Sequence, residues 1–82
     1  MDITKEVLSI LDEVLSLRGR ASGFTDSTPL LGALPELDSM AVIGLINLIE
    51  ERFGIVVEDD DIDGSVFLTV GSLVEFVRSK VG

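Results

Sequence analysis

With 82 residues, 46% of them apolar, the chain is near the lower limit at which a core forms without disulfides or structural metals, so one domain spanning residues 1–82 is expected. Cysteine and histidine are absent, which excludes thiolate chemistry on the chain itself, zinc sites with Cys or His ligands, and histidine general-base catalysis. Fifteen acidic residues against six basic ones give a net charge of -9, which repels nucleic acid and anionic lipid and attracts proteins with basic surfaces.

The opening residues Met1-Asp2-Ile3-Thr4-Lys5-Glu6 lack the basic start and apolar run of a signal peptide, and no apolar stretch reaches the roughly 20 residues of a membrane span. A cytoplasmic monomer is expected. Apolar residues at Ile3, Val7, Leu8, Ile10, Leu11, Val14, Leu15 and Leu17 follow the spacing of an amphipathic helix and predict a first helix from Ile3 to Leu17. Gly19, Gly23, Pro29, Gly32 and Pro35 then punctuate a connection of about twenty residues, long for a small domain, which Leu30, Leu31 and Leu34 are expected to pin to the core.

A second helix is predicted from Ser39 to Phe53, with Val42, Leu45, Ile46, Ile49 and Phe53 on its buried face. The opposite side would carry Met40, Gly44, Asn47, Leu48 and Glu51, a mixed apolar and acidic surface that makes a candidate docking face. Gly44 costs about 1 kcal/mol relative to alanine inside a helix, and a close approach there is one explanation. Gly54 is placed to stop this helix, and Ile55-Val56-Val57 has no partner strand, so an extended connector is expected. A short helical turn over 60–63 would bury Ile62. Thr69 can cap a last helix from Val70 to Lys80, with Val70, Leu73, Val74 and Val77 in the core and Phe76 at its edge. The predicted fold class is all-α: a four-helix bundle with three main helices, one short helix and a long first loop.

Asp38-Ser39-Met40 falls where the Pro-broken stretch Gly32-Ala33-Leu34-Pro35-Glu36-Leu37 gives way to the second helix. Either Asp38 or Ser39 can cap it. The first amides of a helix have no partner within it and the dipole adds positive charge there, so a phosphate attached at Ser39 would be favoured. The arrangement resembles the acyl and peptidyl carrier proteins, whose Asp-Ser-Leu-like motif carries 4'-phosphopantetheine. The resemblance extends to Glu50-Glu51-Arg52-Phe53, to the acidic stretch with Ile62, and to Phe67-Leu68-Thr69-Val70-Gly71-Ser72-Leu73, with Met40 in place of the commoner leucine.

The resemblance implies a carrier rather than an enzyme. Ser39 would hold a 4'-phosphopantetheine arm whose terminal thiol bears an acyl group as a thioester, and Asp38 would help a phosphopantetheinyl transferase place it. It also implies an acyl tail slipping in beside Val42, Ile46 and Ile62, and a partner acyl-activating ligase or acyltransferase. The stretch from Leu30 to Val42 is most similar to carriers of bacterial exosortase and exopolysaccharide loci, which implies loading by an AMP-forming ligase. Carriers of fatty acid synthases usually have acids at the positions of Ala41 and Gly44, and their absence implies a dedicated set of partners. An aminoacyl or peptidyl carrier is the alternative within the family.

Two further stretches imitate sites. Asp26-Ser27 repeats the motif dipeptide, but Pro29 biases Thr28 away from helical geometry, so a turn is expected. Asp59-Asp60-Asp61-Ile62-Asp63-Gly64-Ser65-Val66 matches the start of a Ca²⁺-binding loop, yet Val70 stands where the bidentate glutamate belongs, so no dedicated metal site is expected. An acidic Ca²⁺-responsive or protein-binding module without an arm is the reading from a different class.

Overall fold

The computed structural model describes residues 2–62 and 64–81, with Asp59 described by its backbone alone. Helix α1 (Ile3–Leu15) starts where Asp2 is extended and its carboxylate accepts the Lys5 amide at 3.2 Å. It stops two residues before the expected Leu17. Ser16 turns left-handed at φ 54°, and the Leu17 amide folds back onto the Asp12 carbonyl at 3.0 Å. Leu17 is nonetheless fully buried, so its apolar character reflects core contact rather than helix periodicity.

Helix α2 (Ser39–Phe53) has the predicted limits and ends at Gly54, whose φ of 67° favours a residue without a Cβ. Ile55 to Val57 form the expected extended connector, secured when the Glu50 carboxylate accepts the Val57 amide at 2.8 Å. The single short helix expected over 60–63 is instead two 3-10 turns, Asp59–Asp61 and Gly64–Phe67. The Asp61 carboxylate closes the first of these turns by accepting the Glu58 amide at 2.9 Å, and it takes the Lys80 ammonium at 2.5 Å. Ile62 is half-buried, and Asp63 lies outside the described residues. Helix α3 (Val70–Val81) opens on a reciprocal cap in which Thr69 Oγ1 accepts the Ser72 amide and Ser72 Oγ accepts the Thr69 amide, both at 3.1 Å.

The molecule is all-helical, with no strand among the described residues. Helix α1 packs against both α2 and α3. The core joins Val7, Ile10, Leu11 and Leu15 of α1 with Leu45 and Ile49 of α2 and Val70, Leu73, Val74 and Val77 of α3. Of the expected α2 face, Val42, Ile46 and Phe53 are only half-buried. In the long first connection Leu30 is buried and Leu34 half-buried, whereas Leu31 is 42% exposed and Leu37 takes the expected anchoring place at 6%. The cause is backbone pairing: the Leu30 and Leu31 amides donate to the Leu68 and Phe67 carbonyls at 2.8 and 2.9 Å, which commits the chain there and turns Leu31 outward.

Asp26-Ser27 lies in a turn, as expected. The Asp26 carbonyl accepts the Gly71 amide at 2.9 Å, and a Cβ on Gly71 would stand 2.9 Å from that same oxygen. A backbone oxygen cannot rotate aside. Gly71→Ala is therefore expected to push the connection off α3, with a strain of about 1–3 kcal/mol that exceeds the gain in helix propensity, and thermal unfolding should register a Tm several degrees lower.

Candidate functional site at the start of helix α2

The residue that caps α2 is Asp38. Its backbone is extended, its Oδ1 accepts the Ala41 amide at 2.8 Å, and its carbonyl accepts the Val42 amide at 2.9 Å. Ser39 is thereby freed from capping and becomes the first helical residue. It is exposed, and its hydroxyl makes no hydrogen bond among the described residues. The Ser39 and Met40 amides likewise have no acceptor among them. One outward hydroxyl beside two uncommitted N–H groups, at the positive end of a helix dipole, suits a phosphodiester that needs a covalent anchor and donors for its oxygens. The residues present fit a phosphopantetheine group at this point.

The approach to Ser39 is a series of tight turns. The Leu37 amide donates to the Leu34 carbonyl at 3.1 Å and the Asp38 amide to the Glu36 carbonyl at 3.2 Å, while the Leu37 side chain is buried. Arg20 reaches across to Glu36, Nη2 to Oε2 at 2.7 Å. The hydrogen bond from Arg20 is the main cause holding the Glu36 carboxyl below the usual carboxylate range.

On the candidate docking face, Met40 is 75% exposed and Asn47 and Glu51 are exposed, as expected. Gly44 and Leu48 are placed differently. A Cβ on Gly44 would stand 3.4 Å from Val14 Cγ1, so the glycine permits the close approach of α1, and Leu48 is half-buried against the core. The exposed apolar partner of Met40 is instead Ile43, at 53% exposure. Helical projection missed it because apolar residues surround α2 and only the crossing of α1 decides which are covered; the small Gly44 was the available signal for that crossing.

Val42, Ile46 and Ile62 are each half-buried and packed on the core. A surface cleft of about 560 Å³ lies elsewhere, between α1 and the 3-10 turn Arg20–Gly23, with Leu8, Asp12, Ala21 and Ser22 in its wall. In the acidic stretch, the Lys80 hydrogen bond is the first cause keeping the Asp61 carboxyl below its ordinary range. No group of three His, Cys, Asp or Glu side chains among the described residues is placed to hold a metal ion. No helix among them is long and apolar enough to cross a membrane.

Comparison with known proteins identifies the family. The family described as "Phosphopantetheine attachment site" matches residues 5–77, a span that includes Ser39. A holo acyl carrier protein from Nitrosomonas europaea, solved in solution by NMR, is 46% identical, with a TM-score of 0.89 over 96% of this chain and 95% of that one. No curated protein sequence matches significantly. A helical fold shared over nearly its whole length, together with a profile match across the exposed hydroxyl and open amides of α2, shows that this chain belongs to the acyl carrier protein family, whose prosthetic group is 4'-phosphopantetheine.

Proposed function

We propose that the chain is an acyl carrier that receives its arm on Ser39 and presents an acyl group to partner enzymes. The observation that carries this reading is the Ser39 hydroxyl, exposed and without a hydrogen bond among the described residues, at a helix start whose cap is already supplied by Asp38. When bound, the arm supplies the thiol on which an acyl group rides as a thioester. The chain supplies the rest. Asp38 fixes the helix start and offers a carboxylate beside the serine for a phosphopantetheinyl transferase to recognise. Met40 and Ile43 form an exposed apolar pair next to Ser39, and Asn47 and Glu51 continue that surface with polar and acidic groups. Such a surface suits a basic partner that adds apolar contact: opposite charge speeds encounter, and buried apolar area holds the complex. Covalent tethering then makes delivery intramolecular once the carrier docks.

Val42, Ile46 and Ile62 are the residues proposed to line an acyl tail. Each is half-buried, so each has apolar surface left to cover. The partners proposed are an acyl-activating ligase or an acyltransferase, in the cytoplasm. Loading the arm-bearing protein tests the reading. Incubation with acyl-activating ligases and fatty acids, and separately with amino-acid adenylating enzymes, is expected to add an acyl mass only in the first case. An aminoacyl mass alone would overturn it in favour of the aminoacyl or peptidyl alternative.

A further inference from the structure

The segment that delivers Ser39, residues 33–38, is anchored to the core by Leu37 and Leu34, but its polar ties are almost all local. Its backbone bonds reach no farther than four residues: Ala33 and Leu34 to Leu30, Leu37 to Leu34, Asp38 to Glu36. Among the described residues the only polar tie from it to a distant part of the chain is Arg20 Nη2 to Glu36 Oε2, across sixteen positions.

Arg20 is firmly mounted. Asp12 Oδ2, near the end of α1, accepts the amides on either side of it, Gly19 at 2.8 Å and Ala21 at 3.3 Å. The Arg20 amide and its Nε both donate to the carbonyl of the fully buried Leu17, each at 3.1 Å. A continuous set of contacts therefore runs from α1 through Asp12 and the turn carrying Arg20 to Glu36, three positions before Ser39. Glu36 Oε1 is buried without a hydrogen bond among the described residues, an unfavourable placement that the contact of Oε2 with Arg20 helps to offset. Arg20 is 60% exposed in its side chain, and exposed ion pairs add little to global stability. Their effect on a short turn with few other long-range polar restraints is local.

We propose that Arg20 is a positioning residue for Ser39: through Glu36 it holds the turn over 35–38 in the arrangement that a phosphopantetheinyl transferase accepts. The inference rests on reading Ser39 as the point of attachment. A turn released from Arg20 samples other arrangements, and a carrier that is only partly in the accepted one binds with an affinity reduced by that fraction, while the bound complex reacts as before.

The test compares the full-length apo protein with Arg20→Met, which keeps the aliphatic stem, with Glu36→Gln, and with the double variant. Each is presented with coenzyme A and a broad-specificity phosphopantetheinyl transferase, and amide hydrogen exchange is followed on the same samples without the transferase. Each single change is expected to raise KM for the carrier about fivefold, the upper end for an exposed ion pair, with kcat unchanged and the double variant no worse than either single. The Leu37 and Ala41 amides should exchange faster in all three, while Val74 in α3 keeps its rate. Unchanged KM, or effects that multiply in the double variant because the two side chains touch the transferase separately, would overturn the proposal. So would unaltered exchange at Leu37 and Ala41. Wild-type protein that takes no arm would instead refute the reading of Ser39, and the exchange measurement separates the two failures because it requires no modification.

Discussion

Ser39→Ala is expected to abolish attachment of the arm, leaving the intact mass unchanged after incubation with coenzyme A and a phosphopantetheinyl transferase, whereas the wild type gains one arm. The change is clean because Ser39 does no structural work that alanine would lose. Asp38 makes the cap, the Ser39 hydroxyl has no partner among the described residues, and alanine at the first helical position is a good helix former. Circular dichroism of the variant should therefore match the wild type, so a lost mass gain reports chemistry rather than unfolding. Ser27→Ala is the matched control, since Asp26-Ser27 imitates the motif but lies in a turn whose Asp26 carbonyl is engaged by the Gly71 amide. It should gain the arm as the wild type does. Full modification of Ser39→Ala, or a modified peptide that maps to another serine, would refute the assignment.

What could be read from the sequence was what is decided locally. Gly54 ends α2 because only the residue at that point needs a left-handed backbone, Thr69 caps α3 three residues from Ser72, and the apolar spacing of α3 selects Val70, Leu73, Val74 and Val77 correctly. The Asp38-Ser39 junction belongs to the same class, a cap followed by a helical period. Misreadings occurred where a distant segment decides. Leu17 extends the period of α1 yet belongs to the loop, because Ser16 takes the left-handed conformation without being glycine. Leu31 and Leu37 are both plausible anchors, and only the pairing with Phe67 and Leu68 distinguishes them. Gly44 and Leu48 look outward on a helical wheel until α1 is laid over them. The tie between Arg20 and Glu36 spans sixteen positions in a loop without periodicity, so no spacing argument reaches it.

The packing of α2 depends on few residues, and Leu45→Ala should expose this. Leu45 and Ile49 are the buried residues of α2, and Leu45 has no exposed surface. Removing its side chain loses transfer energy and leaves a cavity, a combination that costs about 2–5 kcal/mol for a buried leucine. A domain of 82 residues has on the order of 4–12 kcal/mol in total, so a large share of the stability rests on this one contact. Urea denaturation should show a lower midpoint with an unchanged slope, and thermal unfolding a Tm lower by roughly 8 °C or more. Ile43→Ala, on the same helix but 53% exposed, should change stability by less than about 0.5 kcal/mol. The two variants thus separate what α2 is for on each side. Leu45 keeps the helix on α1, and Ile43 is available to a partner, so a loss of stability below about 1 kcal/mol in Leu45→Ala would contradict the placement of α2 on the core.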